Sequence, residues 1–218
     1  MTNKLKYYKL MILLIIVFTI LISLPHSNAR DNARVYTTHY FYTQASDRQH
    51  ALNGFSKLSY NVSAQNNPSR ANILNWTNSG GSSYNYYNYA FYISTHGPSD
   101  ELAETGVTYF LDDNGVRVEP GDIIGAWHFV YIDACNSKRN NRFPDSLNIT
   151  GRSQRAYIGW ATAVGIAEAN QFNNYFWETY ILNHPIHTAT LKASADVPGA
   201  NSTPSRFVGD SSWYGVGG

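Results

Sequence analysis

Apolar runs that fit β-strands alternate along the chain with segments in which apolar residues recur at helical spacing. Two of the runs, at residues 87–95 and 127–132, contain little polar alternation, as expected when both faces of a mainly parallel sheet are covered. Stretches rich in β-branched and aromatic residues predict further strands at residues 33–43, 60–64 and 155–163. The pattern therefore indicates an α/β fold.

Helices are predicted between and after these strands. Their ranges are residues 46–58, Pro68 to Gly80, 166–181 and 188–197, and the tail that follows has a loop-like sequence. Such alternation predicts a three-layer sandwich, in which helices flank a mainly parallel central sheet on both sides. Residues 30–218 are enough for one sizeable core and short for two, so we expect a single domain.

A small β-hairpin is predicted over residues 107–118. Its centre is the run Asp112-Asp113-Asn114-Gly115, in which Asn-Gly supplies the positive φ angles of a tight turn. The run also resembles the start of a calcium loop, but the later ligands of such a loop are missing. We therefore interpret it as a turn.

The N-terminus has the parts of a secretory signal peptide. Three lysines in the first nine residues precede an apolar stretch at residues 10–24, which is shorter than the roughly 20 residues that span a bilayer. The small residues Ser27 and Ala29 predict cleavage after Ala29, so residues 1–29 form the signal, and an uncleaved anchor is the alternative. We expect a secreted or cell-envelope protein with no stable membrane association after cleavage.

Charged residues are few. They make up 14% of the chain, the net charge is +1, and no block of like charges occurs. Nothing in this distribution indicates a nucleic-acid partner, because such partners are held by clustered basic residues. The composition fits an exported protein whose surface is polar but weakly ionic.

Cys135 is the only cysteine of the sequence. An internal disulfide is therefore excluded, and the thiol is buried, paired between chains or kept for its reactivity. Its position favours reactivity, because Cys135 follows the strand at 127–132 and His96 follows the strand at 87–95. Working sites of α/β sheets lie at the carboxyl ends of strands. If the two strands are parallel neighbours, about 5 Å apart, the imidazole and the thiol can face one another.

An imidazole and a thiol are the two side chains that acyl transfer by a cysteine requires. An adjacent imidazole removes the thiol proton or holds the sulfur as thiolate. Gly97 lets the chain approach a substrate closely, and its N–H together with that of Cys135 can bind the oxyanion that forms on attack. We predict His96 as the base, Cys135 as the nucleophile and Gly97 as an oxyanion donor, with no metal or other cofactor.

Asp133 lies two residues before Cys135, so the two side chains project from the same face of the strand. Its carboxylate either lines the pocket for the substrate residue before the cut bond, or ends the sheet by pairing with Lys138 or Arg139. Five other histidines lack the spacing of metal ligands and are expected in packing or at the surface. They are His39, His50, His128, His184 and His187.

The order of these motifs resembles the caspase-like cysteine peptidases, the group of caspases, metacaspases, legumain, clostripain and gingipains. The segments that carry the resemblance are Ser94-Thr95-His96-Gly97, Asp133-Ala134-Cys135-Asn136-Ser137, Ala156-Tyr157-Ile158-Gly159-Trp160 and Phe207-Val208-Gly209-Asp210. The last of these resembles a closing Gly-Asp of gingipain-like and related bacterial domains. The resemblance covers nearly all of residues 30–218, although the chain has no obvious processing linker like that of a caspase.

This resemblance implies a caspase-like fold and an endopeptidase that acts on protein or peptide substrates. It makes His96 the general base and proton donor, Cys135 the nucleophile and Gly97 an oxyanion donor. Family members with Asp two residues before the nucleophile, such as clostripain and metacaspases, tend to cut after basic residues. Asp133 is accordingly expected to bind Arg or Lys of the substrate, although legumain has an acidic residue at that place and cuts after Asn.

Two other functions remain open from the sequence. The first is a non-catalytic exported binding module that has kept the fold without turnover. The second is a transpeptidase or self-processing enzyme, which forms the same thioester and resolves it with an amine. Hydrolysis and transfer share every step up to the acyl-enzyme, so the sequence does not separate them.

Overall fold

The computed structural model of the protein describes residues 31–38, 45–80, 88–197 and 205–215. The predicted signal peptide at residues 1–29 and His39 lie outside these ranges. No helix within the described ranges has both the length and the apolar character that a membrane crossing requires.

Strands and helices alternate along most of the described chain. The strands are β1 (Asn32–Thr37), β2 (Asn61–Asn66), β3 (Asn88–Ser94), β4 (Phe110–Leu111), β5 (Arg117–Val118), β6 (Phe129–Asp133), β7 (Ala156–Trp160) and β8 (Ser205–Gly209). The α-helices are α1 (Ala45–Lys57), α2 (Arg70–Gly80), α3 (Asp100–Glu104), α4 (Arg142–Ser146), α5 (Ile166–Asn174) and α6 (Ile186–Asp196). A 3₁₀ turn spans Pro120–Asp122, and a π-helix over Tyr175–Tyr180 continues α5.

Six of these strands form the central sheet in the order β2-β1-β3-β6-β7-β8. All neighbours pair in parallel except β7 and β8, which are antiparallel. Every residue of β6 and of β7 is buried, which explains why these strands read as continuous apolar runs. The predicted α/β fold with a mainly parallel central sheet is confirmed.

The sheet has a separate apolar layer on each face. Alternate residues of β3 show the division, because Tyr92 packs with helices α1, α5 and α6 while Phe91 packs with α2, α4 and the β4–β5 hairpin. This is the two-residue period of a strand, expressed on a sheet that is covered on both sides. Helices therefore flank the sheet on both faces, as the sequence predicts.

The predicted hairpin is present as the antiparallel pair β4 and β5. Asp112 holds its turn, because one carboxylate oxygen accepts the backbone N–H groups of Asn114 at 2.8 Å and Val116 at 2.7 Å. The other oxygen accepts the N–H of Arg70 at 2.7 Å, which ties the hairpin to the start of α2. The acidic run thus serves as a turn, in agreement with the sequence interpretation.

The structure corrects three details of the predicted elements. The tail is not wholly loop-like, because β8 adds an antiparallel edge strand through its pairing with β7. Pro68 does not begin a helix; Ser69 caps α2 by accepting the N–H of Asn72, and Arg70 is the first helical residue. The long helix predicted at residues 166–181 changes from α to π geometry at Tyr175.

Candidate active site

His96 and Cys135 lie at the same edge of the central sheet. Strands β3 and β6 are parallel neighbours, with Ser94 directly opposite Asp133. The N–H of Thr95 donates to the carbonyl oxygen of Asp133 at 3.0 Å, which extends the pairing by one residue. His96 and Cys135 each stand two residues beyond the paired position, and both line one pocket. The expected parallel pairing of these two strands is confirmed.

Gly97 brings the loop after β3 against the loop after β6. A Cβ added to Gly97 would lie 1.9 Å from the carbonyl oxygen of Cys135, far inside van der Waals contact. The missing side chain therefore admits the backbone of Cys135, whereas the sequence alone suggests the approach of a substrate. On its other side the loop is held by the hairpin, because Leu111 N–H donates to the carbonyl oxygen of His96 at 2.9 Å.

The sulfur of Cys135 is half-buried and is not in a disulfide. It contacts one residue of the loop after β7 in two ways: the N–H of Val164 donates to Sγ at 3.4 Å, and Sγ lies 3.8 Å from the carbonyl oxygen of Val164. Burial raises the pKa of the Cys135 thiol above its ordinary value. The resting sulfur is therefore a thiol at neutral pH.

His96 stands at the mouth of the pocket, with much of its surface in solvent. Partial burial by the surrounding loops still lowers the pKa of its imidazole below the ordinary value of 6.5. An imidazole that is neutral at pH 7 can accept a proton, as a general base must. The pocket is thus lined by a neutral imidazole and a neutral thiol at rest.

Asp133 lies beneath the pocket and is 4% exposed. One carboxylate oxygen accepts the hydroxyl of Tyr92 at 2.9 Å and the amide of Asn173 at 2.7 Å, and the other accepts the indole N–H of Trp160 at 2.6 Å. Burial raises the pKa of this carboxyl group, and these three donors, together with the Tyr131 hydroxyl, oppose the increase. These donors fix the carboxylate at the pocket floor.

The alternative role for Asp133 is an ion pair with Lys138 or Arg139, and both cations have contacts with other groups. Lys138 donates to the carbonyl oxygen of Asn140 at 3.3 Å and to the side chain of Asn141 at 2.7 Å. Arg139 lies 3.7 Å from the carboxylate of Glu104, on the outer surface. Asp133 instead faces the pocket that contains Cys135.

Sequence reasoning missed a second carboxylate in this pocket, that of Asp47. It belongs to the first turn of α1 and is 3% exposed. Asn170 of α5 lies beside it, and the amide nitrogen of Asn170 donates to an Asp47 oxygen at 2.5 Å when it is oriented toward that oxygen. Burial, together with the nearby charge of Asp133, raises the pKa of Asp47 to about 7. No local pattern marks Asp47, because only tertiary packing brings α1 to the ends of β3 and β6.

Four of the other histidines are partly exposed and contact neighbouring side chains. His50 contacts Glu178 at 3.0 Å, His128 packs between Tyr89 and Trp213, and the other two lie against aromatic rings. Those two are His184, beside Tyr180, and His187, beside Phe207. Within the ranges that the structure describes, no three His, Cys, Asp or Glu side chains are grouped as metal ligands are.

The pocket as a whole combines a thiol, an imidazole and two carboxyl groups. Its lining includes His96, Cys135, Val164, Asp47, Asp133 and Asn170. Such a set can perform nucleophilic acyl transfer and can bind a cationic group near the sulfur. Comparison with models of known protein families gave no match to this chain, and comparison with curated proteins gave none either.

Proposed function

We propose that this chain is an exported cysteine endopeptidase of caspase-like fold that cleaves after Arg or Lys. The observation that carries the proposal is the pocket in which His96 and Cys135 stand above two buried carboxylates, those of Asp47 and Asp133. The order of sequence motifs supports the same family, since the resembling segments lie at the ends of β3 and β6 and on β7 and β8 of one sheet.

Catalysis starts from the neutral pair. As the sulfur of Cys135 attacks the scissile carbonyl carbon, His96 takes the thiol proton and the carbonyl oxygen becomes an oxyanion. The backbone N–H groups of Gly97 and Cys135 are the proposed oxyanion donors, and the close contact of these two residues supports that pairing. The C–N bond then breaks, His96 gives its proton to the leaving amine, and a thioester remains on Cys135.

Hydrolysis completes the cycle. A water molecule attacks the thioester carbon while His96 accepts one of its protons, and the C–S bond of the second tetrahedral species breaks. The proton returns from His96 to the sulfur, and the new carboxylic acid leaves. An amine in place of water would give transpeptidation by the same steps.

The two carboxylates have different proposed roles in substrate recognition. Asp133 already accepts three hydrogen bonds and is also close to the Tyr131 hydroxyl, which leaves at most about one of the four acceptor sites of a carboxylate open. Asp133 therefore supplies negative potential at the pocket floor, and its contact with a ligand is limited. Asp47, which lines the same pocket and lies beside the amide of Asn170, is the carboxylate proposed to contact a cationic side chain.

The test uses activity-based labelling of the purified mature protein. Acyloxymethyl ketones directed by Arg or Lys should modify Cys135, and probes directed by Asp or Asn should react much more slowly. Labelling should be lost in Cys135→Ala and His96→Ala but kept in His184→Ala, which alters a histidine that packs on Tyr180 away from the pocket. Asp47→Asn and Asp133→Ala should both weaken the preference for basic probes, and Asp145→Asn should leave it unchanged.

The outcomes separate the candidate functions. If no peptide probe modifies Cys135, and iodoacetamide reaches it only after unfolding, the peptidase proposal is wrong and a binding module is favoured. Mass analysis of the products with a glycine amide added distinguishes hydrolysis from transfer. A preference for Asn probes would keep the dyad and overturn the basic specificity.

A further inference from the structure

Three loops carry the parts of the proposed catalytic site. The loop after β3 contains His96 and Gly97, the loop after β6 contains Cys135, and the loop after β7 contains Val164, which contacts the sulfur. Each loop leaves a different strand of the sheet, so sheet pairing alone does not fix the loops against one another beyond the strand ends. Further contacts between the loops must hold them in register.

Asn136, the residue after Cys135, makes such contacts from a buried position. Its side-chain nitrogen donates to the carbonyl oxygen of Pro98 at 3.0 Å and to Oδ1 of Asp100 at 2.9 Å, both beyond β3. Its backbone N–H donates to the carbonyl oxygen of Thr162 at 3.1 Å, beyond β7. A single residue therefore joins all three loops.

Asp100 links the same loops through a second set of hydrogen bonds. The oxygen that accepts from Asn136 also accepts the backbone N–H of Ala163 at 2.9 Å, one residue before Val164. Asp100 is the first residue of α3, whose N-cap is Ser99, so its backbone is anchored by a helical turn. The hydrogen bond from Asn136, followed by that from Ala163, lowers the pKa of Asp100, which keeps the carboxylate ionised at neutral pH.

The backbone of Asn136 is itself unusual. Its φ is +56°, in the left-handed region that Asn tolerates better than most residues, and its side chain is fully buried. Its side-chain oxygen has no hydrogen-bond partner among the described residues, although buried amide oxygens normally have one. Both the positive φ and the unpaired buried oxygen raise the free energy of the folded state. Such a conformation persists only where the surrounding contacts enforce it.

From these contacts we infer that Asp100 and Asn136 form a clamp that positions the backbone of Cys135, and the oxyanion donors beside it, relative to His96. The inference rests on the proposed function. Neither residue lines the pocket with Cys135, so both are positioning residues. Because a displacement of about 1 Å at a catalytic group can cost 10²-fold in rate, a carboxylate on the outer side of the loops can control turnover.

The test compares Asp100→Ala with Asp100→Asn. The alanine variant loses both accepted hydrogen bonds, and we expect kcat for an Arg amide substrate to fall by about 10²-fold with KM changed less than about 3-fold. The asparagine variant keeps an oxygen at the same place and should recover most of kcat. Asp145→Ala is the matched control, because Asp145 also accepts a surface hydrogen bond, from Thr150 at 2.6 Å, but on α4.

A double-mutant cycle tests whether the two residues act as one unit. Asn136→Gly removes the amide and keeps access to the positive φ, which Asn136→Ala would strain. If the clamp is real, Asp100→Ala combined with Asn136→Gly should lower kcat little more than either change alone. Additive losses, or a kcat of Asp100→Ala equal to that of the wild type, would overturn the inference.

A second readout does not depend on peptidase activity. In Asp100→Ala the loop that carries Val164 is released, which should expose Sγ of Cys135. Iodoacetamide should therefore alkylate Cys135 of the folded variant about 5-fold faster than Cys135 of the wild type. The thermal midpoint of each variant shows that the folded protein is being measured. A wild type without peptidase activity would refute the proposed function, and the alkylation rates would still decide for or against the clamp.

Discussion

At the scale of single residues, Gly97 shows how one absent Cβ sets the distance between the loops that follow β3 and β6. The replacement Gly97→Ala places a methyl group 1.9 Å from the carbonyl oxygen of Cys135, so one of the loops must move. We expect a loss of at least about 10²-fold in kcat, because the displaced backbone includes the proposed oxyanion donors. Steady-state kinetics on an Arg amide substrate measure this.

Gly121→Ala is the control for that change, since a Cβ at Gly121 meets no atom within 4 Å. Activity of the Gly121 variant should match that of the wild type. A Gly97→Ala protein with full activity would mean that the loop contact has no catalytic role.

Asp47 makes the stability of the fold depend on pH. Its pKa is about 7 in the folded protein, against an ordinary value of 3.8, so between these values the folded state binds more protons than the unfolded state. Stability contributed by Asp47 therefore falls as the pH rises from about 4 to about 7. Asp47→Asn removes this effect and should stabilise the protein by about 1–2 kcal/mol at about pH 8, with no gain near pH 4.

Chemical denaturation at the two pH values measures the difference, and Asp145→Asn, at an exposed position, serves as the control. The same ionisation predicts that KM for a basic substrate falls as the pH rises through about 7, since the carboxylate must be charged to attract a cation. An equal gain in stability at both pH values would show that Asp47 is not the titrating group.

The sequence predicts His96 and Cys135 as neighbours because each follows an apolar run, and parallel strands end at one edge of a sheet. Asp47 could not be predicted in this way. Its place in the pocket depends on how α1 lies across the sheet, which no local spacing records. The contact between Gly97 and the backbone of Cys135 could not be predicted either, because it depends on the separation of two loops that are distant along the chain.

At the scale of elements, the packing of α1 against the π-helix depends on Gly54. A Cβ there would lie 2.0 Å from the ring of Trp177, which is fully buried. Gly54→Ala should therefore destabilise the protein by about 2–3 kcal/mol, even though Ala is favoured over Gly within a helix by about 1 kcal/mol. Thermal or urea unfolding measures whether the free energy of unfolding falls or rises in this variant.

Ser56→Ala is the matched control, because Ser56 is an exposed position of the same helix. It should be neutral or slightly stabilising, as expected from helix propensity alone. If Gly54→Ala is stabilising as well, α1 can move away from Trp177 at no cost.

Strand β8 was missed because its five residues carry no strand pattern strong enough to stand out from a loop-like tail. Its structure comes from pairing along the whole of β7, from Ala156 opposite Gly209 to Trp160 opposite Ser205. The buried strands could be predicted because a strand that is covered on both faces has an uninterrupted apolar sequence. An edge strand can lack this pattern, since it is stabilised by pairing with its neighbour.

At the scale of the whole molecule, β8 is the edge strand that covers the backbone of β7. A chain that ends at residue 197 lacks this strand and exposes the backbone of β7, which carries Trp160 beneath the pocket. We expect this truncation to abolish cooperative unfolding and to promote aggregation. Removal of residues 216–218 alone is the control and should leave the unfolding transition intact; a cooperative transition in the longer truncation would contradict the prediction.

The bond between Trp160 and Asp133 also gives the molecule an optical property. The indole of Trp160 donates to the same carboxylate that forms the floor of the pocket, and the ring is fully buried. Binding of a cation in the pocket would change the electric field along this indole, and we expect the emission wavelength of Trp160 to shift with that field. Trp160 is thus expected to report occupancy of the pocket without an added dye, against the emission of the four other tryptophans of the chain.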